Sequence, residues 1–203
     1  DLRADVVGSS LRVQADLEGA RTGSIDLDAT AQLLQGRLDR DSPLRLRADA
    51  NMDSIAWLAS FTGQSGLELG GALTAALTGS GTIGDPRLDG NVSGDRLAVR
   101  WPEQGLRLQN GQLRAALAGD RLELQRLTFQ GRQGSASADG FVRFSGGLAE
   151  ANLRVTADKL EALSRPDRTV VLSGQASLVR NDERFALEGN VRADRALIEF
   201  APQ

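Results

Sequence analysis

Apolar and polar residues alternate almost one for one along this 203-residue chain. Leu11, Val13, Ala15 and Leu17 are interleaved with Arg12, Gln14 and Asp16, and Leu73, Ala75 and Leu77 continue through Gly79 and Gly81 to Ile83. Ala136, Ala138, Gly140, Val142 and Phe144 alternate with Ser135, Ser137, Asp139 and Arg143. A period of two puts successive side chains on opposite faces of a strand, so each run describes a strand with one dry and one wet side. The pattern predicts strands over 2–7, 10–18, 24–30, 43–51, 71–83, 87–101, 105–109, 111–118, 121–130, 133–144, 148–157, 169–179, 184–193 and 195–200. Asn110-Gly111 and Gly119-Asp120 read as hairpin turns, and Asp85-Pro86 and Asn181-Asp182 as turn formers, which gives a meander.

Residue preference argues the other way. The chain has 31 Leu against 11 Val and 4 Ile, and Leu, Ala, Arg, Gln and Glu all favour helix. The period decides, because it is sustained and because 23 glycines interrupt any helix. Two segments break the alternation. Asp53 to Phe61 gathers Ile55, Leu58 and Ala59 on one side with Asp53 as cap, and Asp158-Lys159-Leu160-Glu161 has capping-box spacing before the stopper Pro166. Both are expected to be short helices at an end of the sheet. A glycine-rich joint is expected near 62–71, within one domain spanning 1–203.

Units recur. Gly71 to Gly79 matches Gly111 to Gly119 at six of nine positions, and Leu88 to Arg96 matches Leu187 to Arg195 at six of nine. Similar strand units side by side bias the fold toward an elongated sheet. With almost no helix to cover it, the Leu-rich side is buried either by closing the sheet into a filled sandwich or barrel, or by curling it into an open trough. From the residues alone, the filled core is the readier answer.

Composition removes most chemistry. There is no His, Cys or Tyr, so no imidazole base, thiolate, disulfide or zinc site can be assembled. Of 24 basic residues only Lys159 is a lysine, and 27 acids are interspersed among them, so no basic stripe tracks nucleic acid. Gly79-Ser80-Gly81-Thr82-Ile83-Gly84 satisfies a dinucleotide-loop pattern, but Asp85-Pro86 follows where a helix would have to open, so a glycine-permitted bend is expected. Asp26 with Asp28, and Asp39 with Asp41, sit beside arginines on the polar side and read as solvated carboxylates rather than a glycosidase pair. Asn91-Val92-Ser93 matches a glycosylation sequon no better than chance. Trp57 and Trp101 read as core or interface anchors. No catalytic residue, metal ligand or cofactor is expected, and the chain is expected not to be an enzyme. No run of 18 apolar residues occurs. Alternation begins at Leu2 and is still running at Ile198 and Phe200, which reads as a segment of a longer chain.

The order of pieces from Gly79 to Gly94, then Leu97-Ala98-Val99, Gly105-Leu106-Arg107-Leu108, Gly111-Gln112-Leu113, and Leu124 to Phe129 with Gly131 and Gly134, resembles the C-terminal region of the TamB family. Ala157-Asp158-Lys159-Leu160 and Ala193 to Phe200 are similar to it as well, so the resemblance spans roughly 40–200. It implies an all-β fold, the β-taco: an elongated, curled, antiparallel-rich sheet with an apolar groove and one or two short helices. This reverses the preference in favour of the trough. The resemblance also implies a periplasmic location in a protein anchored in the inner membrane outside this segment, kinship with AsmA-like bridge proteins that move phospholipid, and work with a TamA-like outer-membrane barrel partner in autotransporter and outer-membrane protein assembly.

On that basis the groove is expected to hold phospholipid acyl chains. Its lining is expected from Leu73, Leu77, Ile83, Val92 and Val99 in the first half of the chain. Leu113, Leu117, Leu124 and Phe129 would continue it, followed by Val142, Phe144, Leu153, Val155, Leu187 and Val191. The alternative is a protein-handling module that holds unfolded outer-membrane strands at a sheet edge by β-augmentation.

Overall fold

The computed structural model describes residues 1–19, 23–145, 148–165, 167–181 and 184–198. Twelve strands follow one another in a single sheet whose spatial order is the sequence order, and every neighbouring pair is antiparallel. They are β1 (Leu2–Val7), β2 (Ser10–Gly19), β3 (Gly23–Gln32), β4 (Leu44–Met52), β5 (Glu68–Gly81) and β6 (Pro86–Trp101), then β7 (Leu106–Gly119), β8 (Arg121–Gln130), β9 (Ser135–Ser145), β10 (Leu148–Arg165), β11 (Arg168–Asn181) and β12 (Arg184–Ile198). Each of β1 and β12 has one neighbour, so the sheet is open at both edges. The expected all-β meander is the fold.

Three local expectations are corrected. Asn110-Gly111 is not a hairpin: 105–109 and 111–118 merge into β7, and Asn110, at φ 52°, takes up the extra residue of a bulge between Gln109 and Gln112. Asp158 to Leu163 is not helical: β10 runs straight through it, with bulges between Ala157 and Leu160 and between Glu161 and Leu163. The expected strands 184–193 and 195–200 are likewise one strand, β12, as far as Ile198, with Phe200 outside the described residues. In β7 pairing on both sides outweighs the local turn signal, and in β10 and β12 the continuous pairing with β11 does the same, since each ladder bond satisfies backbone groups that a turn or cap would leave to solvent.

The segment around Trp57 keeps only a short 3-10 turn, Ala56–Phe61. Asp53 does not cap it; the Ser54 hydroxyl instead accepts from the Ala56 N–H at 3.3 Å. Ile55 is buried and its N–H bonds the Gly71 carbonyl at 3.0 Å, tying the turn to β5. A second short turn, Pro102–Gln104, joins β6 to β7. The Thr82–Asp85 bend closes on itself and leads into β6, with Gly81 at φ 98°, so the glycine-rich stretch is a strand-to-strand bend as expected. Asp182 lies outside the described residues.

No sealed core forms among the described residues. A compact monomer of this mass exposes about 9,200 Å²; this chain exposes 13506 Å². Among the described residues only Ala31, Met52, Ile55, Leu97, Ala115 and Val171 are buried apolar side chains. At one end the sheet bends on itself. β8 and β9 are joined by a short turn, and β10 passes over it, where Glu161 N–H reaches the Gln133 carbonyl and Ser164 N–H the Gly105 carbonyl, both at 3.0 Å. β7 and β10, three positions apart in the sheet, thereby touch.

Candidate functional site: the uncovered apolar face

Directly paired residues on antiparallel strands share a face, so the register traces each row of side chains across the sheet. One row runs Ala15, Leu27, Ala48, Leu77, Gly90, Leu117, Leu122, Val142 and Ala151 from β2 to β10. The next runs Leu17, Ile25, Ala50, Ala75, Val92, Ala115, Leu124, Gly140, Leu153, Leu178 and Leu187 from β2 to β12. A third passes through Met52, Leu73, Gly94, Leu113, Leu127, Ala138, Val155 and Ala176. Every position in these rows is apolar or glycine. Twelve strands spaced about 4.8 Å apart make a floor about 50 Å across.

The floor has low relief because large residues face small ones. Leu77 and Leu117 flank Gly90, and a Cβ at Gly79 would stand 3.0 Å from both Leu46 Cβ and Leu88 Cδ2. Leucines therefore lean across glycines on neighbouring strands. Leu73, Leu77, Val92, Leu113, Leu117, Leu124, Phe129, Val142 and Leu153 are half-buried by these neighbours, while Val155, Leu187 and Val191 are exposed at 44%, 74% and 58%. Val99 joins the same face through its pairing with Leu69 and Leu108. Phe129 and Val191 close the far end of it, in a row with Ala136, Ala157 and Gly174.

One expected residue, Ile83, falls elsewhere. Ile83 sits in the bend after β5 rather than on the sheet; its N–H bonds the Ser42 carbonyl and it is 40% exposed. The alternation of β5 ends at Gly81. For Phe144 the structure describes the backbone, paired with Ala149. Leu122, Leu127 and Leu178 belong to the face but were not singled out; the same alternation that marks Leu113 and Leu153 marks them.

The opposite face is charged. Gln14 Nε2 donates to Asp28 at 2.9 Å, Arg47 Nε to Asp49 at 2.8 Å, Arg121 Nε to Glu123 at 3.1 Å, and the Arg121 guanidinium lies 3.9 Å over the Phe141 ring. Asp26 stands between Asp16 and Asp49 on neighbouring strands, and Asp39 accepts from the Arg40 N–H. These carboxylates serve the solvated face. Among the described residues no group of three or more acids is arranged to hold a metal ion. Trp57 meets Phe61 edge to face at 5.7 Å, and Trp101 Nε1 donates to the Ser65 carbonyl at 3.1 Å, so both anchor local structure. No described helix is long and apolar enough to cross a membrane.

The family model of the TamB C-terminal domain matches residues 120–203, the C-terminal part of the stretch over which the resemblance runs. The match covers β8 to β12, five of the twelve strands. It associates this segment with the translocation and assembly module, in whose TamB subunit the domain is periplasmic. No curated protein and no solved structure matches the chain.

Proposed function

We propose that the apolar face is a track for phospholipid acyl chains, and that the chain works without catalysis as a periplasmic segment of a lipid conduit between inner and outer membranes. The supporting observation is the floor itself: unbroken rows of aliphatic side chains and Gly from β2 to β12, against which, among the described residues, no second sheet and no helix longer than the short turn Ala56–Phe61 at β5 is packed. Lifting an acyl chain of about 16 carbons from a bilayer forfeits about 0.8 kcal/mol per methylene, above roughly 10 kcal/mol in all. A carrier has to return most of that through dry contact along the whole chain. An acyl chain spans about half of a 30 Å bilayer core, so a floor about 50 Å across accommodates it several times over. Aliphatic, low-relief contact grips any saturated or unsaturated chain without choosing its shape.

A second reading has its own support. β1 and β12 are unpaired on their outer sides, and Leu2, Val6, Phe185 and Leu187 stand exposed there. Such edges accept an incoming strand, which suits the handling of unfolded outer-membrane or autotransporter strands beside a TamA-like barrel partner. A photoreactive residue in place of Leu117, at the centre of the floor, separates the two. Lipid adducts in cells carry the conduit reading; polypeptide adducts without lipid overturn it in favour of strand handling.

A further inference from the structure

At the end of the sheet where β10 leans over the β8–β9 turn, four elements border an open cleft of about 220 Å³. Arg100 of β6, Arg107 of β7, Arg132 of the β8–β9 turn and Ser164 of β10 line it, with Leu106. Arg100 and Arg107 are direct cross-strand partners. Like charges in that position repel, so the pairing calls for a counter-charge. Arg100 has one in Glu68 at 3.1 Å, and Arg132 lies 3.6 Å from Glu161 with Nη1 3.3 Å from the Ser164 hydroxyl. Arg107 makes no ion pair with an acid among the described residues. The cleft therefore holds surplus positive charge in guanidinium forks, the group best matched to phosphate oxygens.

Its position gives the ligand a second property. Trp101 and Leu106, one residue along from Arg100 and Arg107, are themselves cross-strand partners on the apolar face, and Leu106 also lines the cleft. Arg100 and Arg107 stand on the charged face, so a molecule with its anionic end among them would turn around the end of the strands past Leu106 to lay an apolar end over Val99 at the rim of the floor. The cleft is smaller than the roughly 300 Å³ of a pocket for a drug-sized ligand, which suits a head group alone.

The geometry points to a phosphate-binding subsite at Arg100, Arg107 and Arg132 that holds the phosphodiester head group of an amphiphile whose chains rest on the apolar face. The head-group assignment rests on the lipid reading above; the phosphate site does not.

Binding to the 203-residue chain is measured with three probes, namely dihexanoylphosphatidylglycerol below its micelle point, dihexanoylglycerol, and inorganic phosphate. Arg107→Gln is compared with Arg154→Gln, a change on β10 at the register of Asp139 and Ser177, far from the cleft. The phospholipid is expected to bind, to weaken about tenfold in Arg107→Gln through loss of a charge-assisted bond, and to be unaffected by Arg154→Gln. Dihexanoylglycerol should bind equally to all three proteins. Arg107→Gln should also melt no lower than the parent, because it relieves the repulsion with Arg100, so lost binding cannot be lost folding. Unchanged phospholipid affinity in Arg107→Gln overturns the subsite. Arg107-dependent binding of inorganic phosphate as tight as that of the phospholipid supports the anion site and overturns the head-group assignment. If inorganic phosphate binds through Arg107 and neither amphiphile binds, the lipid reading falls and the anion site stands; if no probe binds, both fall.

Discussion

Lys159 and Asp194 occupy bulges in β10 and β12, two strands apart, and are joined through one hydroxyl: Ser173 of β11 accepts from the Lys159 N–H at 2.9 Å and donates to the Asp194 carboxylate. Arg192 Nε adds a second donor to Asp194 at 2.9 Å. The bulges are thus locked to one another. Replacing Ser173 with Ala is expected to cost about 1 kcal/mol, the net worth of an intramolecular hydrogen bond, read as a lower urea midpoint with an unchanged slope.

The same network predicts a pH response. The Ser173 hydroxyl above all, helped by the Arg192 guanidinium, holds the Asp194 carboxyl below the usual carboxylate range against the opposing effect of desolvation. A depressed folded-state pKa stabilises the protein above the unfolded value, near pH 4, and that stabilisation is lost as pH falls through the folded value. Asp194→Asn should therefore lose less melting temperature than the parent between pH 6 and pH 3. An equal loss in both proteins would exclude the network as its source.

Gly111 shows how tightly the floor is fitted. A Cβ there would stand 2.6 Å from Phe129 Cδ1 and 2.8 Å from Leu97 Cβ. The ring covers the bare backbone of the neighbouring strand. Gly111→Ala is expected to destabilise by about 1–3 kcal/mol through overpacking, measured by thermal melting. Phe129→Leu in the same chain should recover part of the loss by freeing the space.

Backbone strain at the bulges is separable from packing. Arg96, Asn110 and Lys159 all have positive φ, at 53°, 52° and 46°. A left-handed conformation costs an ordinary residue about 1–2 kcal/mol, and asparagine less. Lys159→Gly should accordingly be neutral or stabilising, by up to about 1 kcal/mol after the added chain entropy of glycine. Asn110→Gly should gain less, an ordering that chemical denaturation of the two variants tests directly.

For the conduit, the decisive pair is Leu77 and Leu117, on either side of Gly90 in one row. Both are only half-buried, so Leu77→Asp with Leu117→Asp should cost about 1 kcal/mol each and leave the fold intact by circular dichroism. Two charges in the middle of the floor should abolish transfer of phospholipid. Transfer persisting at normal protein levels would end the conduit reading.

Alternation made most of the sheet legible. Leu73, Ala75 and Leu77, or Leu122, Leu124 and Val142, announce a face because the pleat fixes side-chain direction within two residues, with no reference to the rest of the chain. The repeat of Leu88 to Arg96 in Leu187 to Arg195 was legible too, and its meaning was not. Both copies end on Asp-Arg, and both end at a bulge, in β6 between Gly94 and Leu97 and in β12 at Asp194. Ala157-Asp158-Lys159-Leu160 carries the same step and bulges as well, although in isolation its spacing is that of a helix cap. A cap and a bulge both consume an unpaired backbone donor, and only the neighbouring strands decide which is made.

Sidedness, strand order along the meander and the absence of catalytic imidazole and thiol groups were determined by the sequence, since each follows from residue type or from spacing of a few residues. Whether anything covers the dry side depended on the tertiary structure. Each strand satisfies its backbone with the next, the described residues form no helix longer than a short 3-10 turn to lie on the Leu-rich rows, and the two edges do not meet in the described sheet. The gathering of Arg100, Arg107 and Arg132 was likewise beyond the reach of any local pattern, because it arises only where β10 bends over a hairpin to touch a strand more than forty residues earlier in the chain.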